Sequence, residues 1–185
     1  MRVETQPLAW IGILYDMLIR KTKDADALKL PDIEQSAGQI FKQIPKLAWM
    51  SDGKTMSANQ HQVFIEAGTS WVVEDDSGLL CGFLCAEIIQ DALHICELSV
   101  TEGYQGKGIG RALIEEAVRQ AAVLGLSSLT LTTFRSVPWN AHFYTRLGFV
   151  ELMSDDITDQ LQYILDDEID RGLPRGERCA MRYLV

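Results

Sequence analysis

"CELSVTEGYQGKGIGRALIEEA", residues 96–117, decides the reading of the fold. Gly106, Gly108 and Gly110 fall within five residues and run directly into a helical pattern. Glycine loses more backbone freedom on folding than any other residue, and Asn, Asp or Ser would make a simple turn more cheaply. The stretch therefore needs exposed main chain. A P-loop requires G-x-x-x-x-G-K-[ST], but Gly103 to Gly106 is too short and Lys107 is followed by Gly108. A dinucleotide fingerprint requires G-x-G-x-x-G, but Arg111 stands at its last position and no acidic residue ends the next strand. Q-x-x-G-x-G fits, at Gln105, Gly108 and Gly110.

Downstream, Ile109, Leu113, Ala117 and Ala121 repeat every four residues, so a helix is predicted to about Leu124, with Gly125 as its stop. "SSLTLTTF" (127–134) alternates and is rich in Thr and Leu, a strand pattern. Pro138 suits the first turn of a further helix that ends near Gly148. "FVEL" (149–152) opens another strand, 157–170 carries an apolar helical stripe, and "RCAMRYLV" (178–185) reads as a last strand. Upstream, 69–75, 79–90 and 92–100 read as three strands, with turn chemistry in "DDSG" (75–78). Residues 7–22 and 32–50 show helix-like spacing, interrupted around Pro31. The order predicts an α+β fold with a mixed central sheet.

The chain has 185 residues, 47% apolar and 23% charged, as expected of one globular domain spanning 1–185. No repeat or linker divides it. Its net charge of −9 disfavours nucleic acid as a partner and suits cationic or amine-bearing small molecules. The apolar run 8–19 is shorter than a membrane span and contains Asp16, and no basic leader precedes it, so a cytoplasmic protein without a membrane partner is expected. Cys81, Cys85, Cys96 and Cys179 fit no zinc spacing, and with three scattered histidines no metal is expected.

The segments "CELSVTEGYQGKGIGRALIEEA" and "VPWNAHFYTRLGF" (137–149), in this order and one strand apart, resemble the GNAT superfamily of acetyl-CoA-dependent N-acetyltransferases. The resemblance covers roughly residues 69–152. It implies a mostly antiparallel sheet splayed between its fourth and fifth strands and flanked by helices. In that reading 69–152 is the coenzyme-binding core, 7–50 covers the acceptor site, and 153–185 adds the last helix and strand. The physical chemistry agrees: a pyrophosphate needs clustered N–H donors at a helix N-terminus. Gln105, Gly106, Lys107, Gly108, Ile109, Gly110 and Arg111 would supply donors, and Lys107 and Arg111 charge. The resemblance also implies that Leu98, Ser99 and Val100 line the pantetheine arm, the backbones of Leu98 and Val100 bonding its amides. It places Asn140 and Phe143 with the coenzyme and Tyr144 beside its sulfur.

Transfer to an amine requires a base, because an alkyl ammonium with a pKa near 10.4 cannot attack, and an acid for the departing thiolate. Tyr144 is the candidate acid, four residues from Asn140 on one helix face. Glu97 and His94 are the candidate bases, Glu97 preferred because a carboxylate in an apolar strand is costly unless paired or used. Arg135 is the cation that would otherwise pair with Glu97. In a regular strand the two candidates point to opposite faces, and a bulge would change that phase. Phe134 and Trp139 either line an acceptor pocket or pack in the core. The expected activity is acetyl transfer to a small primary amine by direct attack. A protein or peptide acceptor and an acyl-CoA sensor are the alternatives. A homodimer is compatible with the resemblance.

Overall fold

The computed structural model describes residues 17–185. Among these residues seven strands form one sheet: β1 (Leu18–Lys21), β2 (Ser70–Glu74), β3 (Leu80–Ile89), β4 (Ala92–Val100), β5 (Ser128–Phe134), β6 (Val150–Glu151) and β7 (Arg178–Leu184). Their order is β1-β2-β3-β4-β5-β7-β6, and every neighbouring pair is antiparallel except β4 and β5. A parallel pair needs a crossover. Helix α3 (Ile109–Val123) provides it.

Side-chain alternation sorts the helices onto the two faces. Leu84, Ala86, Leu93, Ile95, Leu129, Leu131, Cys179 and Met181 point to one face, where Ile109, Leu113, Ala117 and Ala121 of α3 bury their stripe on them. Gly82 brings the start of α3 close to the sheet: a Cβ there would lie 3.1 Å from Ile109 Cγ2. Helix α4 (Ala141–Arg146) shares this face through Phe143, Tyr144 and Leu147. On the opposite face α1 (Leu30–Gly38) and α2 (Ala58–Glu66) pack on Val72, Phe83 and Cys85, while α5 (Asp159–Asp170) covers Ala180.

Residues 18–21, expected to be helical, form edge strand β1, paired with β2 from Leu18↔Glu74 to Lys21↔Trp71. Four residues cannot close a stable helix on their own, whereas here Arg20 bonds both Asp26 and Glu74, tying the strand down. Positions 7–16 lie outside the described residues. The stretch 32–50 is divided: α1 starts with Pro31 in its first turn, and Gln39–Gln43 and Pro45–Asp52 are 3-10 turns separated at Pro45. Helix α2 was not foreseen, although Ser57 and Gln60 form a capping box at its start.

Two irregularities shape the centre. Strands β4 and β5 are bonded only from Ala92↔Ser128 to Ile95↔Leu131 and then part. At the same level Cys85 pairs with Glu97 but Ala86 pairs with Ile95, so Cys96 is an extra residue in β4, a bulge.

Candidate active site

Where β4 and β5 part, a cleft of about 1970 Å³ opens through the sheet. The N-terminus of α3 and α4 line it from one face, and α1, α5 and the carboxylate-bearing face of β4 line it from the other.

The glycine stretch lies at its first wall. Gly108 caps α3 with φ +87°, and Gly106 has φ +74°, both in the left-handed region that favours glycine. Among the described residues, no acceptor takes the N–H groups of residues 106–111, and Ala112 is the first to bond back, to Gly108 O at 3.0 Å. Unpaired N–H groups and the positive end of the helix dipole make this an anion site. Gln105 does not face outward: its Nε2 donates to Val100 O at 3.0 Å and pins the loop to β4. Lys107 Nζ lies 4.8 Å from the centre of the Tyr104 ring, and Arg111 pairs with Glu115 at 3.8 Å. The bare Cα of Gly110 faces Phe143.

The edge of β4 supplies the next donors. Thr101 N–H bonds Cys81 O, so Ser99, two residues back, also bonds toward β3, and Leu98 and Val100 turn their backbone groups away, into the opening. Ser99 is buried, and its hydroxyl donates to Glu97 Oε1 at 2.8 Å. It therefore lies with the carboxylate rather than on the open edge.

The bulge at Cys96 settles the phase question. Leu93 and Ile95 face α3, and so do Leu98 and Val100 beyond the extra residue. His94 and Glu97 consequently share the opposite face and both line the cleft. His94 is 3% exposed, its Nδ1 lies 3.0 Å from Thr130 Oγ1, and burial pushes its pKa down to about 4. Glu97 is half-buried and burial raises its pKa. Arg135 is not its partner, being paired with Glu151 at 2.8 Å. Cys96 is held as a thiol, with burial pushing its pKa up to about 12.

Asn140 is the N-cap of α4, and its carbonyl accepts from Phe143 N and Tyr144 N. Asn140, Phe143 and Tyr144 all line the cleft. Burial, followed by the Glu97 charge, raises the Tyr144 hydroxyl above the usual phenol range. Phe134 is buried in a core cluster and Trp139 packs on it, and both also reach the cleft.

Three cleft residues were missed by sequence reasoning. Arg178 of β7 bonds Glu168 of α5 at 2.6 Å, and Thr132 donates to the same Glu168 oxygen at 2.5 Å. Helix α5 buries the apolar stripe expected for 157–170, and its Glu168 belongs to the cleft wall. Glu34 of α1 accepts from Met56 N at 3.0 Å. Nothing in the local sequence marks these residues, because each reaches the cleft through tertiary packing. Trp10 and Tyr15, assigned to the acceptor cover, lie outside the described residues. Among the described residues no group of three or more His, Cys, Asp or Glu is placed to hold a metal, and no helix is long and apolar enough to cross a membrane.

Residues 66–151 match the family model of the acetyltransferase (GNAT) domain. The ribosomal protein bS18 alanine N-acetyltransferase of Escherichia coli strain K12 is 26% identical over 98 residues, 53% of this chain and 63% of that protein. The chain thus matches less than two thirds of that relative's length. The PaiA N-acetyltransferase of Thermoplasma acidophilum, solved with coenzyme A, superposes with a TM-score of 0.67 at 19% identity, covering 91% of this chain and 99% of the other. The N-acetylglutamate synthase of Neisseria gonorrhoeae, solved with coenzyme A and N-acetyl-glutamate, gives 0.65 at 18%, covering 91% of this chain and 35% of that one. Residues 66–151 are thus similar to the acetyltransferase (GNAT) domain, and the chain shares the fold of these solved N-acetyltransferases.

Proposed function

We propose that the protein transfers an acetyl group from acetyl-CoA to a primary amine by direct attack. One observation carries the reading: the unpaired N–H groups of residues 106–111, the open backbone edge of Leu98 and Val100, and the side chains of Glu97 and Tyr144 all meet in one cleft. The coenzyme fits these residues. Gly106 and Gly108 present bare backbone, no protein group competes for the N–H donors among the described residues, and the helix dipole favours an anion. Asn140 and Phe143 line the path between that loop and Tyr144. Acetyl-CoA would supply the activated thioester acyl group.

The chain's own groups divide the proton work. Glu97 accepts the proton of the attacking nitrogen. Ser99 orients it by its 2.8 Å hydrogen bond, and burial leaves it a stronger base than an ordinary surface carboxylate. His94 is the poorer base, protonated only below about pH 4 and taken up by Thr130. Tyr144 keeps its proton at neutral pH and is the acid for the departing sulfur. As the C–N bond forms and the C–S bond breaks, one proton leaves the nitrogen and one reaches the thiolate. A backbone N–H of the β4 edge would stabilise the developing oxyanion. With Cys96 held as a thiol, no acetyl-enzyme is invoked.

The acceptor we favour is a small amine, because α1 and the 3-10 turns that follow it roof the cleft. A peptide α-amine is the second reading, supported by the name of the Escherichia coli relative. Thiol release from acetyl-CoA, measured with a panel of small amines and with an alanine-first peptide, tests both. Release accelerated by the small amines supports the first reading, and release by the peptide alone supports the second. Tight coenzyme binding with no acceleration by any acceptor would instead indicate an acyl-CoA sensor.

A further inference from the structure

A second carboxylate faces Glu97 across the cleft. Glu34 is on α1 and Glu97 on β4, and both line the opening. Glu34 Oε2 accepts from Met56 N, and Oε1 has no hydrogen-bond partner among the described residues. Behind Glu34 stands His61 of α2, fully buried, edge-on to Phe83 with ring centres 5.0 Å apart. Neither His61 nitrogen has a hydrogen-bond partner, and Nε2 is 4.0 Å from Glu34 Oε2. A buried imidazole with both nitrogens unmatched costs free energy unless something uses it. Two carboxylates open to one cleft, with an unmatched imidazole buried behind one of them, form a seat for a cation.

We propose that Glu34 and Glu97 together seat the ammonium head of the acceptor, with His61 as a positioning residue behind Glu34. This rests on the acetyltransferase reading and narrows the acceptor to one that enters as a protonated primary amine. Like charges at close quarters do not both ionise freely, so the empty pair holds one proton near neutrality. Burial and the Glu97 charge push Glu34 up to about 7, in keeping with that state. An arriving ammonium replaces this proton, and one proton is released per cation bound. The other ionisable groups facing the pair are His61 from α2, Cys85 and Glu87 from β3, His94 and Cys96 from β4, Tyr144 from α4, and the paired Glu168 of α5 and Arg178 of β7, and burial lowers the pKa of His94 to about 4. Cys85, Cys96 and Tyr144 are held protonated by burial, and burial lowers the pKa of His61. The proton released near pH 6.5 therefore comes from the carboxylates.

The test is calorimetric titration of n-butylammonium into the full chain loaded with coenzyme A, at pH 6.5, in two buffers of different ionisation enthalpy. Wild type is expected to bind and to release close to one proton. Glu34→Gln keeps an oxygen for Met56 N and so preserves a purely structural role. It is expected to bind about tenfold more weakly and to release none. His61→Phe keeps an aromatic ring against Phe83 and is expected to move the pH midpoint of binding upward. No binding by wild type, or equal affinity and proton release in Glu34→Gln, overturns the seat. If wild type binds with proton release and Glu34→Gln does not, yet no amine is acetylated, the seat stands and the transferase reading falls. If amines are acetylated and Glu34→Gln behaves as wild type, the seat falls and the transferase reading stands.

Discussion

A Cβ on Gly110 would lie 3.3 Å from Cζ of Phe143. The third glycine of the loop thus makes room for the α4 aromatic that packs edge-on against Tyr144, with ring centres 5.0 Å apart. Gly110→Val overfills this contact and is expected to cost about 1–3 kcal/mol. Phe143→Leu should relieve part of it. A double-mutant cycle in urea should therefore show a favourable coupling of at least about 0.5 kcal/mol. Strictly additive losses would mean that the two residues do not constrain each other.

Gly108 has a different job. At φ +87° with open space around it, a side chain there meets strain rather than a neighbour. Gly108→Val should lose about 1–2 kcal/mol of stability and weaken acetyl-CoA binding by calorimetry. Gly103→Ala, exposed and outside the left-handed region, serves as the control and should change neither. Unchanged coenzyme affinity in Gly108→Val would show that the loop grips no phosphate.

Tyr144→Phe keeps the ring packing against Phe143 and Phe149 and removes only the hydroxyl. Its kcat should fall about 100-fold or more, with the dissociation constant for acetyl-CoA nearly unchanged. Because burial raises the Tyr144 hydroxyl, wild-type kcat should show no loss attributable to this acid up to about pH 10. Equal turnover in the variant would remove Tyr144 from the chemistry.

His94 gives the fold a pH dependence. Its pKa drops from 6.5 to about 4 on burial, so between those values the unfolded chain binds more protons than the folded one. Stability should therefore fall as pH drops from 6.5 to 4, by up to about 3 kcal/mol from this residue. His94→Gln should flatten that window in urea unfolding series while leaving the slope above pH 7 unaltered. A slope unaltered between pH 4 and 6.5 would place the acid sensitivity elsewhere.

The core of the fold was open to reading because its signals are local. The alternation of 69–75, 79–90 and 92–100 and the four-residue rhythm from Ile109 to Ala121 mark β2 to β4 and α3 within a residue or two. The glycine loop and the Asn140–Tyr144 pair were legible for the same reason. What failed was decided at a distance. Leu18–Lys21 becomes a strand because β2 offers it a partner and Arg20 finds Asp26 and Glu74. Glu34, Glu168 and Arg178 reach the cleft only through packing of α1, α5 and β7 on the sheet. The bulge at Cys96 leaves no mark on the sequence, yet it decides which face Glu97 takes.

That single surplus residue acts as a parity switch. If the bulge were ironed out, with Cys96 taken into regular pairing with β3, residues 97–100 would slip by one position and each would change sides. Glu97 would be driven into the packed layer beneath α3, and Leu98 would be turned out where a charge now stands. The half of the strand that carries Glu97 is thus out of step with the half before the bulge by one position. A swap of neighbouring strands between relatives would carry the chemistry across only if this offset travelled with it.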